Sequence, residues 1–497
     1  MALFNLMKHS IGTEKEAQEP PKQAIFVQQS SKAGLLVTNE LGKALRDCKA
    51  KVDRISRDCR MKNRKFRDLE FDLEYDSRRC LHGLGGNNEI YLPSDVQRVT
   101  EIFDSPQFFV DGVSFAYPVG GDISNSWFVS ALATVARKRG LIKRLCVARD
   151  EQVGVYGFIF FKDSAWVTVI IDDLLYTCIP KFEALSPLEK QLYHDNKQFY
   201  NTHARKGTKS LYFAKSATQG ETWVPLIEKA YAKLYGSYAA LVGGDASEAI
   251  EDLTGGVSTF IPTRDIFDTD RFWNEELLKV NIDRLFGCTY EALSGVRSGN
   301  WSSQVHGLVG NYSYSVVRAA EVNGKRFVVV RGPASGQTGW TGPWSDGSKE
   351  WTKEWAELLP EIGHVLGEDG QFVMEYKDFL NCWDTFDKTL LFDDSWVMSS
   401  QWLHVATRPL PAWTFGNVSF TFSLSQSTHA VIVLSQIDDR SFYEISGRSS
   451  WELDFVLFKA GKKQVVTESF PNQDYARSVN VEVDLEAGDY IVHVSGF

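Results

Sequence analysis

Gly120-Gly121-Asp122-Ile123-Ser124-Asn125-Ser126-Trp127-Phe128-Val129-Ser130-Ala131-Leu132 is the stretch that decides how this chain is read. A glycine-rich turn runs directly into an apolar helical segment, with a small residue and a tryptophan at the junction. The N-terminus of a helix gathers unpaired N–H groups and the positive end of the macrodipole, so a thiol seated there is held as thiolate. Here the junction residue is Ser126, a hydroxyl. Serine at such a place is also a common N-cap, Ser124 as well as Ser126, and at this point both readings stand. The helix is expected over residues 126–139, with Gly140 as its stop.

With 497 residues the chain should hold about three domains. A net charge of -10 argues against a nucleic-acid partner. No apolar run approaches the ~20 residues that span a bilayer, so no transmembrane segment is expected. The segment 1–10 lacks the long apolar region of a secretory signal. Seven scattered cysteines, an odd number without a C-x-x-C pair, fit a reduced cytoplasmic protein and offer no zinc spacing. The 14 Trp and 32 Phe call for large apolar cores.

Four regions follow from patterning. Residues 1–85 read as an N-terminal extension, poorly ordered to about residue 40 and then forming one or two exposed helices dense in Lys and Arg. Asp47, Asp53, Asp58 and Asp68 dilute that charge, which favours a solvated helix over a membrane-binding one. Residues 86–255 mix helices and strands: a strand pair at 153–161 and 166–173, and a helix at 223–234. Residues 256–395 are richer in strands, with Asn323-Gly324 as a hairpin turn between apolar runs. In residues 396–497, Val418, Phe420, Phe422 and Leu424 alternate with polar residues, as do Val479, Val481, Val483 and Leu485. That period of two suggests an antiparallel β-sandwich.

Three separated segments then agree in order: the turn into Trp127-Phe128, the Tyr314-Ser315-Val316 strand, and Trp340-Thr341-Gly342-Pro343-Trp344-Ser345-Asp346. With Leu226-Ile227-Glu228-Lys229-Ala230-Tyr231 and Glu368-Asp369-Gly370-Gln371-Phe372, they make the chain resemble the calpain family over about residues 86–497. The resemblance implies an α+β fold: a two-lobed papain-like protease core, split at about residue 256, followed by a C2-like sandwich. The family's nucleophile motif is Gln-Gly-x-x-Gly-Asp-Cys-Trp-Phe, which puts Gly120 at the oxyanion Gln and Ser126 at the Cys. Gly-His-Ala-Tyr-Ser-Val puts Tyr312 at the base. Arg-Asn-Pro-Trp-Gly meets Arg331-Gly332-Pro333-Ala334-Ser335, so Gly332 stands for the orienting Asn and Ala334 for the sheltering Trp.

Chemistry should fail at each of these positions. A serine without a neighbouring base is a weak nucleophile, and a phenol of pKa ~10 keeps its proton at neutral pH. Gly332 orients nothing, and Gly120 offers no side-chain donor to an oxyanion. His306 is the nearest histidine in sequence to the base position and the one candidate for a rescue. The family also binds one calcium in each half of its core. Carried over, the first site uses Val110, Gly112 and Glu228, with Tyr117 where a further Asp is expected. The second uses Asp346 and Asp369, with Gly339 and Gln371 where carboxylates are expected. Fewer carboxylates mean weak calcium binding at most. No EF-hand loop occurs, so no EF-hand small subunit is expected. The expected function is a catalytically inactive calpain-like pseudoprotease binding an unidentified protein or peptide. The alternatives are an active calcium-dependent endopeptidase, and a lipid or protein adaptor that touches membranes peripherally through the sandwich.

Overall fold

The computed structural model describes residues 2–8, 32–84, 92–110, 118–121, 125–138, 140–291, 304–332, 339–367, 370–403, 418–442, 451–469 and 477–496. Ala2–Lys8 is a strand, β1, where the sequence suggested a poorly ordered lead-in. It runs antiparallel between segments 396–402 and 428–435 and pairs with both along its length. A ladder on each side satisfies its backbone groups, and partners almost the whole chain away leave no local signal.

The basic stretch expected as exposed helices is one helix, α1 (Asn39–Met61), started by Thr38, whose hydroxyl accepts the Leu41 N–H at 3.1 Å. It is not a solvated extension. Leu41, Ala44, Cys48, Val52, Ser56 and Cys59 recur every three or four residues and are buried. They belong to the first body of the core, which also contains α2 (Ser126–Arg137), the antiparallel strands β2 (Cys146–Asp150), β3 (Val155–Lys162) and β4 (Ala165–Asp172), and helices α3 (Trp223–Tyr235) and α4 (Ala246–Thr254). Gly157 on β3 lets α1 approach: a Cβ there would lie 2.6 Å from Cys48 Sγ and 2.8 Å from Val52 Cγ2. α2 ends two residues short of expectation. Lys138 turns out of the helix at ψ 108, and Gly140, at φ +84, leads into the next short helix.

The second body is a six-stranded antiparallel sheet. Its strands are β5 (Val257–Pro262), β6 (Arg284–Thr289), β7 (Tyr314–Val322), β8 (Lys325–Arg331), β9 (Gln371–Glu375) and β10 (Thr385–Leu390), in the order β9-β8-β7-β6-β10-β5. The β7–β8 hairpin turns through Asn323 (φ +48) and Gly324 (φ +74), as Asn-Gly predicts. The C-terminal strands are β11 (Trp396–Trp402), β12 (Val418–Leu424), β13 (Thr428–Ser435), β14 (Leu453–Lys459), β15 (Val465–Glu468), β16 (Ser478–Leu485) and β17 (Gly488–Gly496). They form two four-stranded antiparallel sheets, β11-β1-β13-β16 and β12-β17-β14-β15. Phe420, Ile432, Leu434, Phe455, Leu457 and Val492 from both sheets share one core. Val431 and Val433, alternating with them on β13, pack into the core of the first body. A strand buried on both faces reads as the unbroken run Ala430-Val431-Ile432-Val433-Leu434. Helices and antiparallel sheets together make an α+β chain, and among the described residues no helix is long and apolar enough to cross a membrane.

Charge fastens the C-terminal sheets to the first body. Arg477 donates to Asp252 at 2.7 Å and to Glu251 at 2.6 Å, and Arg440 donates to Glu248 at 2.7 Å and Asp438 at 2.8 Å. The Arg440 guanidinium also lies 4.5 Å above the ring of Trp127. The C-terminal unit therefore touches the residue beside Ser126.

Candidate functional site

α2 is buried along most of its length and is pinned to the second body by its own polar residues. Ser130 Oγ donates to the Ser313 carbonyl at 2.9 Å, the Thr134 and Ser315 hydroxyls bond at 2.6 Å, and the Lys138 ammonium donates to the Ile282 carbonyl. These bonds bring the start of α2 and the entrance of β7 together. The sequence placed Ser126 on one and Tyr312 on the other.

Ser126 is the first residue of α2, and Asn125 occupies the N-cap, so Ser126 is not the cap that the sequence allowed. Among the described residues no side chain or backbone group bonds its hydroxyl. Its neighbours are committed elsewhere. Trp127 Nε1 donates to the Leu241 carbonyl at 2.8 Å, and Asn125 Nδ2 donates to the Glu228 carboxyl. Asn125 Oδ1 is buried with no partner and lies 3.7 Å from where a Gly120 Cβ would sit. An unpaired acceptor beside an oxyanion position has the wrong sign for stabilising negative charge.

Tyr312 packs its half-buried ring against the apolar core of the second body. The Gly332 N–H donates to the Gly370 carbonyl at 2.8 Å. A Cβ at 332 would lie 3.2 Å from the ring of Tyr314, whose hydroxyl accepts the Val309 N–H at 2.8 Å. A side chain at 332 would need that ring to give by a few tenths of an ångström. Ala334 lies outside the described residues. His306, at φ +51, sets its ring edge-on against Trp340 with centroids 5.5 Å apart. Burial pushes the Cys48, Cys80 and Cys146 thiols up to about 12, which keeps these three protonated.

Only some of the carried-over calcium positions fall within the described residues. Gly112, Tyr117 and Asp369 lie outside the described residues. Glu228 is fully buried, with Oε2 accepting the Ala214 N–H at 2.9 Å and Oε1 meeting Asn125. Burial raises its carboxyl to about 8, against the lowering effect of those two donors. The carboxyl that meets the Val110 loop is instead Glu221, which sequence reasoning missed. Its Oε1 accepts the Val110 N–H at 3.2 Å, and its Oε2 accepts Ser216 Oγ at 2.5 Å and Trp223 Nε1 at 2.9 Å. The Thr222-Trp223 junction that opens α3 could have drawn attention to the acid just before it. In the second set, Asp346 gives one oxygen to His364 Nε2 at 2.8 Å and the other to the Gly367 N–H at 2.6 Å. A side chain at Gly339 would meet the Phe372 ring at 2.9 Å. Among the described residues N–H and O–H donors, not a ring of oxygens, face Glu221, Glu228 and Asp346, an arrangement that does not fit a hard cation.

Residues 66–389 match the family model for calpain family cysteine proteases. Calpain-A of Drosophila melanogaster is 31% identical over 316 residues, which is 61% of this chain and 34% of that protein. Calpain-9 of Mus musculus is 33% identical over 299 residues, 58% of this chain and 38% of that protein. The calpain-1 catalytic subunit of Bos taurus is 32% identical over 305 residues, 60% of this chain and 38% of that protein. The chain thus spans little more than a third of the length of the curated relatives it matches.

Proposed function

Since the chain belongs to the calpain family of cysteine proteases, we propose that it is a pseudoprotease: a calpain core that binds protein or peptide in the cytoplasm without cutting it. The observation that carries the reading is the company Ser126 keeps. Among the described residues nothing bonds its hydroxyl, the half-buried ring at the base position packs against an apolar core, and the orienter position is a glycine beside Tyr314. Triad members act as a unit, so losing one costs on the order of 10⁴ to 10⁶ in rate. The wall that would grip an extended peptide does not depend on those groups. On this reading residues 86–255 and 256–395 are the two lobes and residues 396–497 a C2-like sandwich. On the same reading the first lobe takes in α1 as well, because the buried stripe of α1 packs on its strands.

The test is cleavage of casein and of fluorogenic peptides by the full chain, with and without millimolar calcium. Beside it stands a variant carrying Gly120→Gln, Ser126→Cys, Tyr312→His and Gly332→Asn. No turnover by the unmodified chain is expected, and calcium-dependent turnover by it would return the protein to the active endopeptidases. Co-sedimentation with anionic liposomes, if strong, would move the binding role to the C-terminal sheets.

A further inference from the structure

We propose that the loop from Trp340 to Gly367 is closed by an imidazole N–H in the place where the family uses calcium, so that this half of the core holds its shape without metal. Asp346 is the centre of the clasp. One of its oxygens lies 2.8 Å from His364 Nε2, and the other accepts the Gly367 N–H at 2.6 Å. The His364 side chain is sealed from solvent. Its Nδ1 is buried without a hydrogen-bond partner. The ring proton that matters is therefore on Nε2, where the carboxylate takes it.

The histidine is held in register by its own backbone. Its N–H donates to the Leu359 carbonyl at 3.2 Å, just past the short helix Leu359–Ile362, which ends in Gly363 at φ +84. The clasp therefore ties one end of the tryptophan-rich loop to a fixed point. Trp344 packs edge-to-face on Trp351 and Trp355, with centroids 5.1 and 5.0 Å apart, and on Phe327 of β8 at 4.8 Å. Closing the loop seats these rings on the sheet.

A calcium ion wants six to eight oxygens, several of them charged. Among the described residues two N–H groups point at Asp346, Gln371 is neutral and buried, and a side chain at Gly339 would run into the Phe372 ring at 2.9 Å, which leaves Asp369 as the one further carboxylate of the set. The clasp and the ion are alternatives, and the donors have won. This inference does not depend on how the triad positions are read.

The experiment measures melting temperature and amide exchange of the full chain in EDTA and in millimolar calcium chloride. The expected result is no calcium-induced stabilisation at this loop and slow exchange of the Gly367 amide in both buffers. His364→Ala should speed that exchange by about tenfold or more, the effect of losing a charge-assisted hydrogen bond. His364→Gln, whose amide can still donate, should recover part of it. Should His364→Ala fail to fold, His364→Gln and Asp346→Asn read the same bond. Calcium stabilisation that persists in Asp346→Asn places the ion elsewhere and leaves the clasp standing. A saturable stabilisation of the unmodified chain that Asp346→Asn abolishes would overturn the proposal. So would Gly367 exchange unchanged in both His364→Gln and Asp346→Asn.

Discussion

Glu228→Gln isolates the most perturbed carboxyl near the start of α2. In the folded chain Glu228 holds its proton until about pH 8, whereas the ordinary value is 4.5. Between these limits the unfolded chain has lost a proton that the folded chain keeps, so folding takes up a proton and stability falls as pH rises. The gap from 4.5 to about 8, at about 1.4 kcal/mol per pH unit, sets a ceiling of about 5 kcal/mol for the loss complete above pH 8. At pH 7 about 3 kcal/mol of it is already present on the same slope. Glutamine keeps an acceptor for the Ala214 N–H and carries no charge to bury. Thermal unfolding of both proteins from pH 4 to pH 9 should therefore show the variant gaining on the unmodified chain steadily above pH 5. A constant difference across that range would refute the burial assignment. Calcium that stabilises the unmodified chain at high pH but not the variant would instead restore Glu228 as a ligand.

Two further perturbations test how the bodies are joined. Thr134→Val removes the hydroxyl bond to Ser315, leaves a buried partner unsatisfied, and should cost about 1–3 kcal/mol. Limited proteolysis should then cut faster between the two core bodies, and an unchanged rate would mean that α2 does not hold them. Arg477→Met strands Asp252 and Glu251 without their cation, a change expected to cost about 3–5 kcal/mol. Calorimetry should split the C-terminal sheets from the core as a separate, earlier transition, and a single unshifted transition would contradict the ionic joint.

The sequence was most legible where the signal is local. Asn323-Gly324 specifies its hairpin because both residues accept positive φ. The period-two runs at 418–424 and 479–485 announce strands because each buries one face. What failed was long-range. β1 could not be read as a strand of the C-terminal unit, because seven residues carry no signal of partners at 396–402 and 428–435. The buried stripe of α1 is interrupted by Ser56 and surrounded by Lys and Arg, so its apolar face was underweighted. At the candidate site the sequence placed Ser126, Tyr312 and Gly332 by motif. It could not show Asn125 as the cap, Glu221 beside Val110, or His364 beside Asp346, since each pairing joins residues whose relation only the fold creates.

The contacts of Asn125, Gly332 and Trp127 bear on whether the departures from the family's motifs are isolated or settled. Asn125, where the motif carries Asp, donates to Glu228, a carboxyl that is itself neutral at pH 7. Gly332 lies beside a Tyr314 ring anchored through Val309, so an asparagine there fits only if that ring gives by a few tenths of an ångström. Trp127, the one motif residue retained beside Ser126, is held from below by Leu241 and from above by Arg440 of the C-terminal unit. Asn125 and Gly332 depart from the motif and each has a packed neighbour, while the retained Trp127 is tied to the C-terminal unit. A site that had merely lost its nucleophile would keep the cradle open around it. Here the start of α2 is tied to the second body through Ser130 and Thr134 and to the C-terminal unit through Trp127, so it organises the molecule whatever becomes of Ser126.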